Sequence, residues 1–269
     1  MSAGESEGHG CVHVLQTTQG RSLTAGIHGL RRGVGIGRGT PPGALGRLLE
    51  DQSLKTLEEA ARACPGSLQA LGYLGDAYLR RRSYPDALRV FATYLERVPR
   101  SPFAAMRRDA VLSRLGRHED ALGNAAALLA RHPGSLTVLE ALASRQIDAR
   151  QLEAARTTLA RGLVQTPGHP VLLTRQSFVE LESDRPDAAL LFAEKAVAAI
   201  GDGRGELVAG YAHIDLARAL AILGRRDEAK VALHQALRLG VGPDDLERID
   251  GDPRLQGFMT YPIELPPAE

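Results

Sequence analysis

The chain has no tryptophan, and aromatic residues make up only 4% of its 269 positions. That is few rings for a core of this size, although an apolar fraction of 43% can still bury one. Lysine is almost missing too. Only Lys55, Lys195 and Lys230 stand among 33 basic residues, and the arginine excess points to a GC-rich, bacterial genome more than to a physical demand. With 32 acidic residues the net charge is +1, which argues against a protein built mainly to hold nucleic-acid phosphates or an anionic membrane. No apolar stretch approaches the roughly 18–20 residues that span a bilayer, so no membrane partner is expected.

Cysteine is scarce. Cys11 and Cys64 are the only two, too few for the dense framework of a small secreted domain. They are expected to be unlinked thiols in a reducing, cytoplasmic setting. The residues before Cys11, Gly8-His9-Gly10, follow a polar start without an apolar h-region, so no lipoprotein signal is read there. Arg31-Arg32 likewise lacks the apolar run of an export signal.

Acid is absent from Gly8 to Leu49, where Arg21, Arg31, Arg32, Arg38 and Arg47 supply positive charge. Of the 29 glycines, 12 fall in the first 46 residues. Each would cost a helix about 1 kcal/mol relative to alanine. Residues 1–43 are therefore expected to be a disordered Gly/Arg-rich tail. His9, Cys11 and His13 place three possible metal ligands close together, but the glycine-rich flanks give them no fourth ligand or second shell. Tail composition is the expected reading, and no metal or other cofactor is assigned. Gly33, Gly35, Gly37 and Gly39 alternate without a phosphate-loop pattern, since Arg38 and Thr40 stand where a third glycine would be needed. His118, His132, His169, His213 and His234 lack the spacing of a zinc helix. No catalytic constellation remains, so the chain is expected not to be an enzyme.

What is abundant is periodicity. Ala87, Ala121 and Ala155 recur every 34 residues, and Pro99, Pro133 and Pro167 accompany them with the same period. The best copy carries Leu71, Leu74-Gly75 and Tyr78, then Tyr84, Ala87, Phe91 and Pro99. This resembles the tetratricopeptide repeat, whose unit is two antiparallel helices with an aromatic-x-x-Leu-Gly-x-x-Tyr signature in the first. A second copy keeps Leu112, Gly116, Ala121 and Pro133 but has Arg108 and Asp109 where the family has Leu and Gly. A third keeps Leu139, Leu142, Ala143, Ala155, Leu159 and Pro167. A fourth rests on Leu173, Ala189, Ala193 and Ala196, with Gln176 and Glu180 in apolar slots, and a fifth shows Leu216-Ala217, Leu220, Gly224, Ala229, Leu233 and Ala236. Leu57, Ala60 and Pro65 mark a leading half-repeat.

The physics agrees. Small residues at crossing points let helices approach, apolar residues three and four apart give each helix one stripe, and a closing proline ends it. No helix pair buries its stripe alone, so stacked neighbours must complete the core. The expected fold class is all-α, and the resemblance implies a right-handed superhelical solenoid of antiparallel helix pairs over residues 44–240. Residues 241–269, with Asp252-Pro253 and then Pro262, Pro266 and Pro267, are expected to form a capping segment and proline-rich tail.

The resemblance also implies a site. In the family the first helices line a concave groove that receives a peptide. The inward positions here are Gln69, Asp76 and Arg80; Phe103, Met106 and Arg114; Glu140 and Asp148; Thr174, Phe178 and Glu182; and Tyr211, Ile214 and Arg218. Phe103, Met106, Phe178 and Tyr211 are apolar where the repeat requires nothing apolar, as a peptide-binding surface would have them. The competing expectation is that some of them pack against neighbouring helices. Members that grip chaperone C-termini carry Lys and Asn where this chain has Gly72 and Asp76, so that partner is not expected. The chain is read as a non-catalytic scaffold for a protein or peptide partner. The alternative is an accessory or regulatory subunit of a separately encoded enzyme or assembly machine.

Overall fold

The computed structural model describes residues 54–200, 206–239 and 241. Eleven helices and no strand occur among the described residues. They are α1 (54–63), α2 (Leu68–Arg80), α3 (Tyr84–Arg97), α4 (Pro102–Arg114), α5 (His118–Arg131), α6 (Leu136–Asp148), α7 (Leu152–Gln165), α8 (Pro170–Glu182), α9 (Pro186–Ile200), α10 (Glu206–Ile222) and α11 (Arg226–Arg238). The chain divides into two compact units at Leu128–Leu129, within α5. The expected boundaries near residues 43 and 241 border or fall in segments outside the described residues.

Local chemistry repeats with the sequence. Ser67, Ser101 and Ser135 each cap a first helix, their hydroxyls accepting from the backbone N–H of Ala70, Ala104 and Val138 at 3.2, 3.3 and 3.4 Å. Such a cap satisfies one of the orphan donors at the helix start. His169 takes the corresponding place before α8 without a side-chain cap, and Pro170 then supplies a φ already suited to the first turn. Each first helix ends by one residue crossing to positive φ: Arg82, Gly116, Arg150, Asp184 and Gly224. That left-handed step satisfies carbonyls at the helix end and turns the chain into the second helix.

In the first unit, Leu71, Leu74, Tyr78, Ala87, Val90, Phe91 and Val111 form one apolar cluster. Leu54 and Leu57 of α1 pack onto it, and the Tyr78 hydroxyl donates to Glu58 Oε1 at 2.7 Å. Burial and this contact push the Tyr78 pKa up to about 12. In the second unit, separate clusters are seeded by Ala143, Ala155 and Leu159, by Leu173 and Ala196, by Leu181 and Ala189, and by Ile214, Leu220 and Leu233. The second-helix alanines Ala87, Ala121, Ala155, Ala189 and Ala229 are all fully buried, as close helix approach requires.

Two polar intrusions into apolar slots are built in, not left out. Asp109 is buried, and its Oδ1 accepts from Asn124 Nδ2 at 3.1 Å and from the Arg108 guanidinium. Glu180 is buried too, accepting from Gln176 Nε2 at 2.6 Å and Arg156 Nε at 2.9 Å. Both first helices are therefore fully part of their repeats. The expectation of unlinked thiols is corrected: Cys64, buried just after α1, is disulfide-bonded, while Cys11 lies outside the described residues.

Candidate partner-binding faces

In the first unit, α2 and α4 each carry one exposed aromatic ring. Phe103 is 38% exposed and Tyr73 is 37% exposed, unusual values for rings in a chain with so few of them. Phe103 is held in place on its other side. Its ring meets Phe91 edge-on at 6.4 Å and Tyr94 at 5.9 Å, above Gly72. A Cβ at Gly72 would lie 3.4 Å from the Phe103 ring, so the glycine there leaves room for the aromatic seat. Arg107 lies over the ring as well, 5.6 Å from its centroid, and its Nε pairs with Asp76 Oδ1 at 3.0 Å. Burial raises the Asp76 pKa against the lowering charges of Arg107 and Arg80. Gln69, Arg80 and Arg114 reach solvent and Met106 is half-buried. Every expected residue in this unit therefore reaches the surface.

The second unit behaves differently. Phe178 is half-buried with the Arg218 guanidinium 5.8 Å from its ring centroid, and Arg218 itself is only 3% exposed. Arg218 pairs with Glu182 at 2.9 Å and lies 3.8 Å from the buried Asp215, while Arg150 reaches Glu182 at 2.7 Å. Burial alone would raise the Glu182 pKa, but hydrogen bonds and charge from Arg218 and Arg150 outweigh it and hold the group below its ordinary value. Glu140 pairs with His169 Nδ1 at 3.2 Å, yet burial still raises its pKa against His169 and Arg175. Asp148 pairs with Arg145 at 3.2 Å.

Three expected groove residues of this unit are corrected. Ile214 is fully buried in the cluster with Ala217, Leu220 and Val241, so it is a core side chain. Thr174 is buried and its hydroxyl donates to Pro170 O at 2.9 Å, a bond internal to α8. Arg218 is enclosed by the contacts above, and Tyr211 is half-buried against the same cluster as Ile214. The competing expectation, packing among helices, describes these positions.

The family model for the tetratricopeptide repeat matches residues 51–102 and 111–170. These segments of the chain are tetratricopeptide repeats. Solved structures with the same fold include a thermophilic TPR protein of Thermus thermophilus, at 24% identity and TM-score 0.59, over 68% of this chain and 96% of that one. A chain of the APC/C hetero-tetramer Cut9–Hcn1 aligns at 18% identity and TM-score 0.61, over 73% of this chain and 39% of that one. MamA from Desulfovibrio magneticus RS-1 aligns at 19% identity and TM-score 0.48, over 71% and 98%. No curated protein matches in sequence. The repeat match supports, in general terms, a protein-interaction scaffold role.

Sequence reasoning passed over Tyr73, Arg107 and Asp215. Tyr73 was legible in principle: it lies one helical turn beyond Gln69, whose amide donates to its hydroxyl at 3.4 Å. Arg107 lies one turn beyond Phe103 on α4 and covers its ring. Among the described residues no cluster of three His, Cys, Asp or Glu could hold a metal ion, and His9, Cys11 and His13 lie outside them.

Proposed function

We propose that this tetratricopeptide-repeat protein is a non-catalytic scaffold that binds a protein or peptide through its first-helix faces, with the first unit as the principal contact. The observation that carries this reading is the exposed ring of Phe103 beneath Arg107, with a second exposed ring, Tyr73, on α2. A ring already locked by Phe91 and Tyr94 loses little entropy when a partner covers it, which is why rigid aromatics make strong anchors. Met106 adds an adaptable neighbour, and Gln69, Asp76, Arg80 and Arg114 form a polar rim. In the second unit, Glu140 and Phe178 are expected residues that keep partial exposure. Chaperone C-termini are not the proposed partner, because Gly72 lies beneath Phe103 and Asp76 is an acid. No helix among the described residues is long and apolar enough to cross a membrane.

The test compares proteins captured from lysate by the full chain and by the variant Tyr73→Ala/Phe103→Ala, with helicity and melting checked in parallel. Loss of specific partners by a folded variant is the expected result. Recovery of the same set at equal strength would sink the reading.

A further inference from the structure

The charges on the first unit's face are lopsided once buried groups are set aside. Helices α2 and α4 carry four arginines, Arg80, Arg107, Arg108 and Arg114, against two acids, Asp76 and Asp109. Asp109 is buried and engages Arg108, so neither belongs to the open face. Asp76 is then the single carboxylate of these two helices set against three arginines. It pairs with Arg107 and feels Arg80, while Arg114 makes no ion pair or hydrogen bond among the described residues. Arg107 and Arg114 stand two helical turns apart on α4, roughly 10 Å. An extended peptide brings side chains three residues apart to about the same spacing.

We infer that the first unit's face selects an acidic peptide segment, whose apolar or aromatic side chain packs on Phe103 and Tyr73 while its carboxylates pair with Arg80, Arg107 and Arg114. This rests on the scaffold reading above and adds the chemistry of the partner. Complementary charge sets register and on-rate, and the locked ring supplies the anchor. Arg107 is held by Asp76 and Phe103 in a fixed place, so a carboxylate meets a guanidinium that needs little further ordering. Nucleic acid fits this face less well. The chain carries only +1 overall, and one acid is fixed among the three arginines.

The experiment uses the full chain and three labelled short peptides with one central phenylalanine, flanked by glutamates, glutamines or lysines, together with a single-stranded oligothymidine. Binding is read by fluorescence anisotropy. The glutamate peptide is expected to bind at least about tenfold tighter than the glutamine peptide, and to weaken with added salt. The variant Arg80→Gln/Arg114→Gln, which removes groups that make no ion pair among the described residues, should weaken the glutamate peptide about tenfold and erase most of its advantage over the glutamine peptide. Equal affinity for the glutamate and glutamine peptides would overturn the inference while leaving an apolar docking face intact. Tighter binding of oligothymidine, lost in the same variant, would overturn it in favour of nucleic acid. Failure of every peptide to bind would remove this inference, and partner loss in Tyr73→Ala/Phe103→Ala would still report separately on the scaffold reading.

Discussion

The two units share a backbone plan and bury the same second-helix alanine, yet their first helices carry opposite chemistry. In the first unit, α2 and α4 hold four arginines against two acids. In the second, α6, α8 and α10 set Glu140, Asp148, Glu180, Glu182 and Asp215 against Arg145, Arg175 and Arg218. The first unit leaves Phe103 and Tyr73 part-exposed, with Arg107 over the Phe103 ring, while the second closes its charges onto each other. The lesson is that the repeat dictates only the buried stripe. Positions facing away from the second helix are free to become either an open surface or an internal ion-pair lattice, and the two units differ in this way.

If the second unit's charges are structural and the first unit's are not, removing a partner from each should separate them. Among the described residues, Arg156→Ala leaves the buried Glu180 with Gln176 and a guanidinium nitrogen of Arg185 at 3.9 Å. Orphaning a buried charge in this way should cost about 3 kcal/mol. Arg107→Ala breaks a pair whose members are 47% and 22% exposed, and should cost less than about 1 kcal/mol. Urea unfolding of both variants measures the difference. Equal losses would mean that the two units are held by the same kind of contact.

A smaller contrast lies in how each unit uses a helical glycine. A Cβ at Gly75 would come within 2.5 Å of the Phe91 ring, which is fully buried and has nowhere to turn. At Gly162 the nearest atom is Leu172 Cδ1 at 2.7 Å, then Leu139 Cδ2 at 3.1 Å, both ends of flexible side chains. Gly75→Ala should therefore destabilise by about 2 kcal/mol through overpacking. Gly162→Ala should stay within about 1 kcal/mol, because the roughly 1 kcal/mol gain in helix propensity offsets the local shift. Thermal melting ranks them, and a reversed ranking would show that the Phe91 seat is the more yielding one.

How far these features could be read in advance depends on which face carries them. The 34-residue spacing of Ala87, Ala121 and Ala155 predicted the helix pairs because every such alanine meets the same geometric demand. The serine caps at 67, 101 and 135 obey that period as well, and stood in the sequence unremarked. Asp109, Gln176 and Glu180 read as breaks in the pattern. Their compensation comes from Asn124 and Arg156 on second helices, a pairing that one repeat's consensus does not contain. Exposure along the expected face was legible only in part for the same reason. Phe103 could be singled out because nothing in the repeat needs it. Ile214 occupies the position that Met106 has in its own repeat, but its cluster includes Val241, which lies past α11, where the repeat consensus carries no information.

The mildest test of the comparison is titration. Burial raises the Asp76 pKa above 3.8, so in the first unit the folded state takes up this proton more readily than the unfolded chain does. Asp76 therefore weighs against stability at neutral pH, and that penalty fades as pH falls through its folded pKa. Glu182 has the opposite sign. Burial opposes its charge, but Arg218 and Arg150 prevail and lower its pKa below 4.5, so its contribution is present above that value and is lost as pH falls through the folded pKa. Carboxyl carbon NMR should then show Asp76 protonating at higher pH than a free aspartate and Glu182 at lower pH than a free glutamate. Arg107→Ala should move Asp76 further up, since it removes the larger of the two charges that hold it down, and should leave Glu182 where it was. A downward move of Asp76 in that variant would mean that Arg107 acts on it mainly by shielding it from water, and that the charge of the Asp76–Arg107 pair is not what holds its pKa down.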